Sequence, residues 1–234
     1  MKESNKNHIV ITIDGPAASG KSSVAKMIAQ RLGFYYLYTG LLYRAVAYVL
    51  VQQQFRGVAP KDAADIVIPS DLSMIKKIVY SYSNGEPRVA YDGQDISPYL
   101  CDASFDQPAS VVSANKAVRQ ALLDVQRNVA QHYDLVADGR DCGTVIFPNA
   151  TIKFFLTADA HTRAVRLFND RKRAYSTMSV DQIKELLIER DNRDQARAVA
   201  PLVVPDGAMV IDSSHLSLEQ TVEAFVQVIK QQLG

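Results

Sequence analysis

The sequence is poor in cysteine, in net charge and in long apolar runs, and each shortage excludes a class of protein. Its 234 residues include only two cysteines, Cys101 and Cys142, which form neither a disulfide framework nor a metal-binding spacing and therefore fit a reducing compartment. The 26 basic and 25 acidic residues nearly cancel, whereas proteins that bind nucleic acids or membrane surfaces normally carry a basic excess. The most apolar run, residues 41–51, is too short to span a bilayer and contains Arg44. We expect a cytoplasmic protein with no nucleic-acid or membrane partner.

Apolar residues, by contrast, make up 47% of the chain and fall in short runs that alternate with helical patterns. The runs predict buried strands at residues 8–13, 34–37, 134–138, 151–157 and 208–212. Strands separated by helices are typical of a doubly wound α/β domain with a parallel sheet.

Helix signals fall between and after these strands. The first helix should end at Gly33, and a second, apolar on nearly all sides, should run from Thr39 to about Gln54. Capping-box patterns predict two further helix starts, at Ser179 and Ser217.

Residues 58 to about 100 interrupt this alternation. Short β-type runs surround the turn signals Asn84-Gly85 and Asp92-Gly93. They predict either a small antiparallel meander inserted into the α/β domain or a hairpin on the edge of the main sheet, and the pattern favours neither.

The stretch GPAASGKS, residues 15–22, matches the phosphate-loop pattern G-x-x-x-x-G-K-[ST] without substitution, between a predicted strand and a predicted helix. Glycines and small residues let backbone N–H groups turn toward an anion, and the helix adds the positive end of its dipole. Lys21 would reach the β- and γ-phosphates, and the Ser22 hydroxyl would hold Mg²⁺. The alternative is a glycine-rich turn that matches the pattern by coincidence, but a coincidence would not explain the flanking strand and helix. The predicted ATP-binding residues are Gly15, Pro16, Ala17, Ala18, Ser19, Gly20, Lys21, Ser22 and Ser23.

A GTPase switch uses the same loop, but the sequence does not favour one because the other GTPase motifs are missing. No aspartate has a glycine three residues on, and Asn115-Lys116 is followed by Ala117-Val118 rather than by an aspartate at the fourth place.

Arginines occur where a second phosphate group would lie. Arg44 is the only charge in its apolar run, and it needs either an anion or an exposed position in the first helical turn. Arg140, between Asp138 and Asp141, follows a predicted strand, and ligands of parallel sheets bind beyond the carboxyl ends of strands. The alternative for this segment is a solvated turn.

The segment from residue 163 to 197 has nine basic and six acidic residues. On a helix that begins near residue 180, Arg190, Arg193 and Arg197 would share one face. A salt-bridged, exposed helix face is the common explanation, but next to a phosphate loop the pattern favours binding of a polyanion between two nucleotides. Residues 171–178 could form a mobile lid that excludes water.

Four stretches resemble the bacterial cytidylate kinase family: IDGPAASGKS, YTGLLYRAVA, VADGRDCGTVIFPNA and RDNRDQARAVAPL through DSSHLSLEQ. The resemblance implies a three-layer P-loop kinase fold with an inserted nucleoside monophosphate-binding domain and a helical lid. It implies a core of residues 1–62 and 102–234, an insert of residues 63–101 and a lid at about 166–180. It also implies phosphoryl transfer from ATP to CMP or dCMP with Mg²⁺ by a protein expected to be a monomer.

By position, the resemblance also implies roles for individual residues. The catalytic set is Lys21, Arg140, Arg190 and Arg197, and the metal set is Ser22 and Asp138. The CMP-binding set is Thr39, Arg44, Ser110, Arg119, Arg140, Asp141, Arg190, Asp194 and Arg197.

Two departures from the family pattern affect the site. Relatives usually have an aspartate where this chain has Tyr38, which shifts the expected metal binding to Asp138 and Ser22. Ala17 lacks a hydroxyl that relatives often have, and its backbone is expected to remain available to the nucleotide.

Two competing functions remain at this stage. One is a kinase on the same scaffold that phosphorylates UMP, AMP or a metabolite such as shikimate. The other is an ATP-dependent binding or regulatory switch without an acceptor, against which the arginine cluster argues.

Overall fold

In the computed structural model, residues 8–58, 60–170 and 178–234 are described, and these contain eight strands and eight helices. The strands are β1 Val10–Asp14, β2 Tyr35–Tyr38, β3 Ile78–Ser83, β4 Glu86–Tyr91, β5 Gln94–Asp95, β6 Leu135–Gly139, β7 Ile152–Thr157 and β8 Met209–Asp212. The helices are α1 Lys21–Leu32, α2 Thr39–Phe55, α3 Ser97–Leu100, α4 Asp106–Ala114, α5 Lys116–Ala130, α6 Ala160–Asn169, α7 Val180–Gln195 and α8 Leu218–Leu233. A π-helical turn occupies Cys142–Ile146, and 3₁₀ turns occupy Ala63–Asp65, Ser73–Lys77 and Ala103–Phe105.

Five strands form a parallel sheet in the order β2-β6-β1-β7-β8. The central strand β1 pairs with β6 on one side and β7 on the other, so Ile13 lies opposite both Asp138 and Phe154. Along the chain, β2 is placed on one side of β1, and β7 and β8 are later placed on the other side. This change of side opens a crevice at the carboxyl ends of the strands. The predicted strands and their parallel arrangement are confirmed.

The sheet is covered on both faces, because its strands are apolar toward both sides. Leu135 and Ala137 of β6 belong to one core with α2, α4 and α5, and Val136 between them belongs to a second core with α1 and α8. Side chains of successive strand residues point to opposite faces, so an unbroken apolar run is what a covered strand requires. The predicted three-layer α/β fold is confirmed.

The helix boundaries follow the predicted signals with one exception. Helix α1 ends at Gly33 in the left-handed conformation, and the capping boxes at Ser179 and Ser217 are both formed. Helix α7, however, ends at Gln195, so Arg197 lies beyond it. The prediction that Arg190, Arg193 and Arg197 share one helical face is therefore wrong.

The segment that interrupts the strand–helix alternation, residues 58 to about 100, contains a separate three-stranded antiparallel sheet, β3-β4-β5, rather than a hairpin on the main sheet. Its apolar residues share a hydrophobic core with α2, and the Tyr80 hydroxyl of β3 donates to the Tyr36 carbonyl at 2.8 Å and accepts from the Tyr38 N–H at 3.0 Å. The meander is thus fixed to the edge strand β2. The division into core and inserted domain stays a prediction, and residues 171–177 of the predicted lid lie outside the described residues.

Within those described ranges, no helix is both long enough and apolar enough to cross a membrane.

Candidate active site

The phosphate loop curls between the end of β1 and the start of α1. A Cβ at Gly15 would lie 2.0 Å from the Leu156 carbonyl oxygen, so this position admits only glycine. Ala18 and Gly20 are left-handed, with φ of 57° and 89°. Gly20 caps α1 without a side chain, which leaves the first amides of the helix able to bind an anion.

Lys21 lies in this loop, buried, and its ammonium group donates to the Pro16 carbonyl at 2.8 Å. Burial and the neighbouring Arg140 guanidinium hold the pKa of Lys21 well below its usual value. A phosphate group at this position would favour the protonated form, because an opposite charge offsets the cost of desolvation.

Asp138 receives two hydrogen bonds at the carboxyl end of β6. The Ser22 hydroxyl donates to one carboxylate oxygen at 2.7 Å and the Tyr36 hydroxyl donates to the other at 2.9 Å. Burial raises the pKa of Asp138, and the positive charge of Lys21 opposes that rise. Tyr38, which the family pattern places near the metal, lines the cavity and stacks on Tyr36 with 6.3 Å between ring centroids.

Ser22 and Asp138 are suited to hold a magnesium ion that is shared with nucleotide phosphates. Mg²⁺ usually takes one or two protein oxygens and completes its octahedron with substrate phosphates and water. Ser22 and Asp138 offer such a pair beside the loop. No group of three or more His, Cys, Asp or Glu residues that could hold a metal by themselves occurs in the described part of the chain.

The turn after β6 is fixed by a buried carboxylate. Asp14, at the end of β1, accepts the N–H groups of Cys142 and Gly143 at 2.8 and 2.7 Å. Burial raises the pKa of Asp14 to about 6, although both hydrogen bonds act in the opposite direction. Because the turn is anchored on its far side, Arg140 and Asp141 project from the carboxyl edge of the sheet.

Arg140 and Arg197 share one acidic partner. Arg140 donates to Asp194 at 2.8 Å, and Arg197 pairs with the other oxygen of the same carboxylate and donates to the Ser113 hydroxyl at 3.1 Å. Burial alone would raise the pKa of Asp194, but the surrounding arginines outweigh it and lower that pKa. Asp194 therefore stays ionised and fixes both guanidinium groups.

Arg119 and Arg44 form two further buried pairs. Arg119 pairs with Asp141, donates to the Ser113 carbonyl at 3.0 Å and lies 5.3 Å from the ring centre of Tyr43. Arg44 pairs with Asp106 and donates to two backbone carbonyls at 3.0 and 3.1 Å. The alternative in which Arg44 points into solvent is therefore wrong.

Arg190 differs from these arginines. Its Nε atom is buried and has no hydrogen-bond partner among the residues that the structure describes. Burial and the neighbouring Arg140 lower its pKa. A buried donor without a partner is costly, so an anionic ligand would satisfy it.

Lys21, the paired arginines and their carboxylate partners line one cavity of about 870 Å³ together with Arg190 and Asp138. Seven basic and five acidic side chains face it, which gives a net positive lining. The basic ones are Lys21, Arg44, Arg119, Arg140, Arg166, Arg190 and Arg197, and the acidic ones are Asp106, Asp138, Asp141, Asp170 and Asp194. The alternative of a solvated turn at Arg140 is therefore wrong.

Most of the predicted site residues line this cavity, and a few do not. Gly15 and Pro16 shape the loop from behind, and Ser110 is buried one helical turn before Ser113, whose hydroxyl donates to the Ser110 carbonyl at 2.9 Å. Arg193 is exposed and outside the cavity. The predicted residues that line the cavity are Ala17, Ala18, Ser19, Gly20, Lys21, Ser22, Ser23, Thr39, Arg44, Arg119, Asp138, Arg140, Asp141, Arg190, Asp194 and Arg197.

The expectation about Ala17 is wrong. Its N–H donates to the Asp191 carboxylate at 3.3 Å and its carbonyl accepts from Arg163 at 2.9 Å. The backbone of this residue is therefore already engaged by the protein, and the amides free to meet a phosphate begin after it.

The sequence did not predict the wall on the far side of the phosphate loop. Arg166 of α6 donates to the hydroxyl and carbonyl of Ser213 at 3.1 and 2.5 Å, and both residues face the cavity beside Leu216. Ser213 directly follows β8, so the rule that ligands bind beyond strand ends could have found it. This wall is the region left for the nucleoside of a nucleotide whose phosphates lie in the loop.

Comparison with known proteins identifies the family of this chain. The cytidylate kinase family model matches residues 11–231. The cytidylate kinase of Caldanaerobacter subterraneus subsp. tengcongensis is 36% identical over 222 residues, covering 95% of this chain and 95% of the relative. That of Methylococcus capsulatus is 39% identical over 221 residues, covering 94% and 96%. A solved shikimate kinase from Bacteroides thetaiotaomicron has a TM-score of 0.48 and 9% identity over 95% of this chain and 98% of that one. The extent of the family match shows that the chain belongs to the cytidylate kinase family.

Proposed function

We propose that this protein transfers the γ-phosphoryl group of ATP to CMP or dCMP, giving ADP and CDP or dCDP. The observation that carries the proposal is the continuity of one cavity from the phosphate loop at Lys21 to the arginine cluster around Asp194. Two polyanions can bind end to end there, and the family membership identifies the acceptor as a cytidine nucleotide.

On the donor side, the loop amides from Ala18 onward and Lys21 bind the ATP phosphates. Ser22 and Asp138 would hold Mg²⁺, which neutralises charge on the β- and γ-phosphates when it is bound. The ATP nucleoside lies against the wall at Arg166 and Ser213, where the cavity continues.

On the acceptor side, arginines bind the CMP phosphate and Asp141 with Arg119 reads the base. Cytosine presents an amino donor next to ring acceptors, so an acidic and a basic partner held together can match it. Thr39 and Asp194 complete the site. Ser110 stays a predicted base contact, one helical turn before Ser113, which lines the cavity.

Transfer needs little acid–base chemistry, because the acceptor phosphate is already ionised. Positioning of the two phosphates in line supplies much of the rate. Lys21, Arg140, Arg190 and Arg197 surround the transferring group and neutralise its charge in the transition state. The Nε of Arg190, which lacks a partner within the described chain, would gain one from the phosphate.

A coupled assay of ADP release across CMP, dCMP, UMP, AMP and shikimate tests this assignment. We expect turnover with CMP and dCMP at least tenfold above that with the other acceptors, since a base-reading pair discriminates by about that factor or more. Preference for a different acceptor would contradict the proposal. ADP release that does not depend on any acceptor would support the regulatory switch instead.

We also propose that the protein acts as a monomer in the cytoplasm. Free Cys101 and Cys142 support a reducing compartment. Light scattering during size-exclusion chromatography tests the monomer, for which the mass would be 25.8 kDa.

A further inference from the structure

A buried ion pair lies behind the phosphate loop, outside the cavity. Arg163 of α6 and Asp191 of α7 are 6% and 8% exposed, and Nη1 of the arginine lies 2.6 Å from Oδ2 of the aspartate. Neither residue lines the cavity. The pair joins the two helices that flank residues 170–179.

The pair binds both backbone groups of a single loop residue, Ala17. The Ala17 N–H donates to Oδ1 of Asp191 at 3.3 Å, and Nη1 of Arg163 donates to the Ala17 carbonyl at 2.9 Å. Nε of the same arginine donates to the Ala158 carbonyl at 2.9 Å, just before α6 begins. The first two contacts connect the loop to α6 and α7 at one residue, and the third fixes Arg163 against the start of its own helix.

The charges of Arg163 and Asp191 indicate what the pair does for the loop. A lone carboxylate close to a triphosphate site would repel the ligand, and Arg163 neutralises it. A buried ion pair is often no more stabilising than apolar residues of the same volume. Its benefit is therefore expected in the geometry that it imposes on the loop.

The geometry that the pair imposes on the phosphate loop affects the place where the two substrates would meet. Ala18, directly after the held residue, is left-handed with φ of 57°, so the loop turns toward the cavity at this place. Arg190, directly before Asp191, faces the cavity from α7. One side chain of α7 thus holds the loop while its neighbour reaches the site where the phosphoryl group would move.

We propose that Arg163 and Asp191 are positioning residues that set the shape of the phosphate loop for the triphosphate and fix its distance from Arg190. This inference rests on the proposed function. The pair acts through Ala17 and does not touch the nucleotide.

The test is an isothermal titration of the Asp191→Asn variant with a non-hydrolysable ATP analogue and Mg²⁺. The amide cannot accept from Ala17 and from Arg163 together, because it has one acceptor and would turn its donor toward one of them. We expect the Kd for the analogue and the KM for ATP to rise about 10- to 100-fold, as for an atomic misplacement of about 1 Å. The Kd for CMP should rise by less than the Kd for the analogue. Two predicted CMP contacts, Arg190 and Asp194, lie on α7 with Asp191. The others, among them Arg44, Arg119 and Arg140, lie outside this helix.

A merely structural role would give a different pattern. In that case Asp191→Asn would lower the melting temperature and the fraction of active enzyme but leave the KM for ATP and the Kd for the analogue unchanged. That result would overturn the proposal. Arg31→Gln, which removes an exposed ion pair to Glu223 on α8, is the matched control and should change neither constant.

If Asp191→Asn is unfolded at the assay temperature, Arg163→Lys decides the question. The lysine keeps the charge but cannot reach the Ala17 and Ala158 carbonyls and the Asp191 carboxylate together. A wild-type Kd for the analogue in this variant would also overturn the proposal. Failure of the proposed function looks different, because the wild-type protein would then bind the analogue but phosphorylate no CMP.

Discussion

At the scale of single residues, the site depends on charges that the fold keeps away from water. Lys21 and Arg190 have lowered pKa values because both are buried beside Arg140. These cations repel one another until an anion arrives between them. Phosphates bound between these cations would relieve that repulsion.

Replacement of Lys21 by alanine tests the donor half of the site. We expect kcat to fall by at least about 10²- to 10³-fold, since one preorganised donor at a developing charge contributes that much. The melting temperature should not fall, because the change removes a buried cation whose only described hydrogen bond goes to the Pro16 carbonyl. Near wild-type turnover would contradict the assignment.

Asp14 predicts a pH dependence of stability. Its pKa rises from 3.8 to about 6 on folding because it is buried. Between these values the folded state binds more protons than the unfolded state, so the unfolding free energy falls as pH rises. Two pKa units correspond to about 3 kcal/mol.

The comparison with Asp14→Asn isolates this group, because asparagine does not titrate. Without nucleotides or Mg²⁺, the unfolding free energy of the wild type minus that of the variant should fall by about 2.4 kcal/mol from pH 4 to pH 7, because the unfolded carboxyl is already partly ionised at pH 4. Denaturant unfolding at a series of pH values measures it. A difference that stays constant or rises with pH would show that Asp14 is already ionised in the folded protein at pH 4.

At the scale of elements, the turn between β6 and the π-helical turn carries Arg140 and Asp141, which we propose as part of the acceptor half of the site. Asp141→Asn keeps the shape of the side chain but removes the charge that pairs with Arg119. We expect the KM for CMP to rise about 10- to 100-fold, the usual range for a charged hydrogen bond, with the KM for ATP unchanged. Equal losses for CMP and ATP in initial-rate kinetics would count against a base-reading role.

The Tyr80 hydroxyl makes two hydrogen bonds between the meander and β2, in addition to the apolar core that the meander shares with α2. Tyr80→Phe would leave the Tyr36 carbonyl and the Tyr38 N–H without that partner, and we expect a loss of about 1–3 kcal/mol in unfolding free energy. Tyr99→Phe, at an exposed tyrosine, is the control and should be neutral. Equal stability of the two variants in urea would show that the hydroxyl does not hold the meander.

Strands, helices and caps could be predicted from the sequence more completely than the contacts between them, for a physical reason. Periodicity and caps are local, so the strands, Gly33 and the capping boxes could be predicted from neighbouring residues. The end of α7 could not, because the alanine-rich residues 196–200 continue to fit a helix. The chain instead turns so that the Leu202 N–H reaches the Asp194 carbonyl. Arg197 therefore arrives at the cavity from a loop.

At the scale of the whole molecule, the site consists of pairs between distant parts of the chain. Arg44 meets Asp106, Ala17 meets Asp191 across 174 positions, and Arg166 meets Ser213. The phosphate loop and most arginines could be proposed from motifs, since residue type and position after a strand restrict their chemistry. Their partners could not, because nothing local in the sequence specifies which distant carboxylate neutralises which guanidinium.

We propose that one cavity holds two nucleotides at once with their phosphates facing each other. Calorimetric titration of CMP into the protein saturated with a non-hydrolysable ATP analogue and Mg²⁺ tests this arrangement. We expect one CMP bound per chain with a Kd no weaker than in the absence of the analogue, because a second polyanion is accommodated by arginines that the first leaves free. Competition between the two nucleotides, or no CMP binding to the saturated protein, would contradict it.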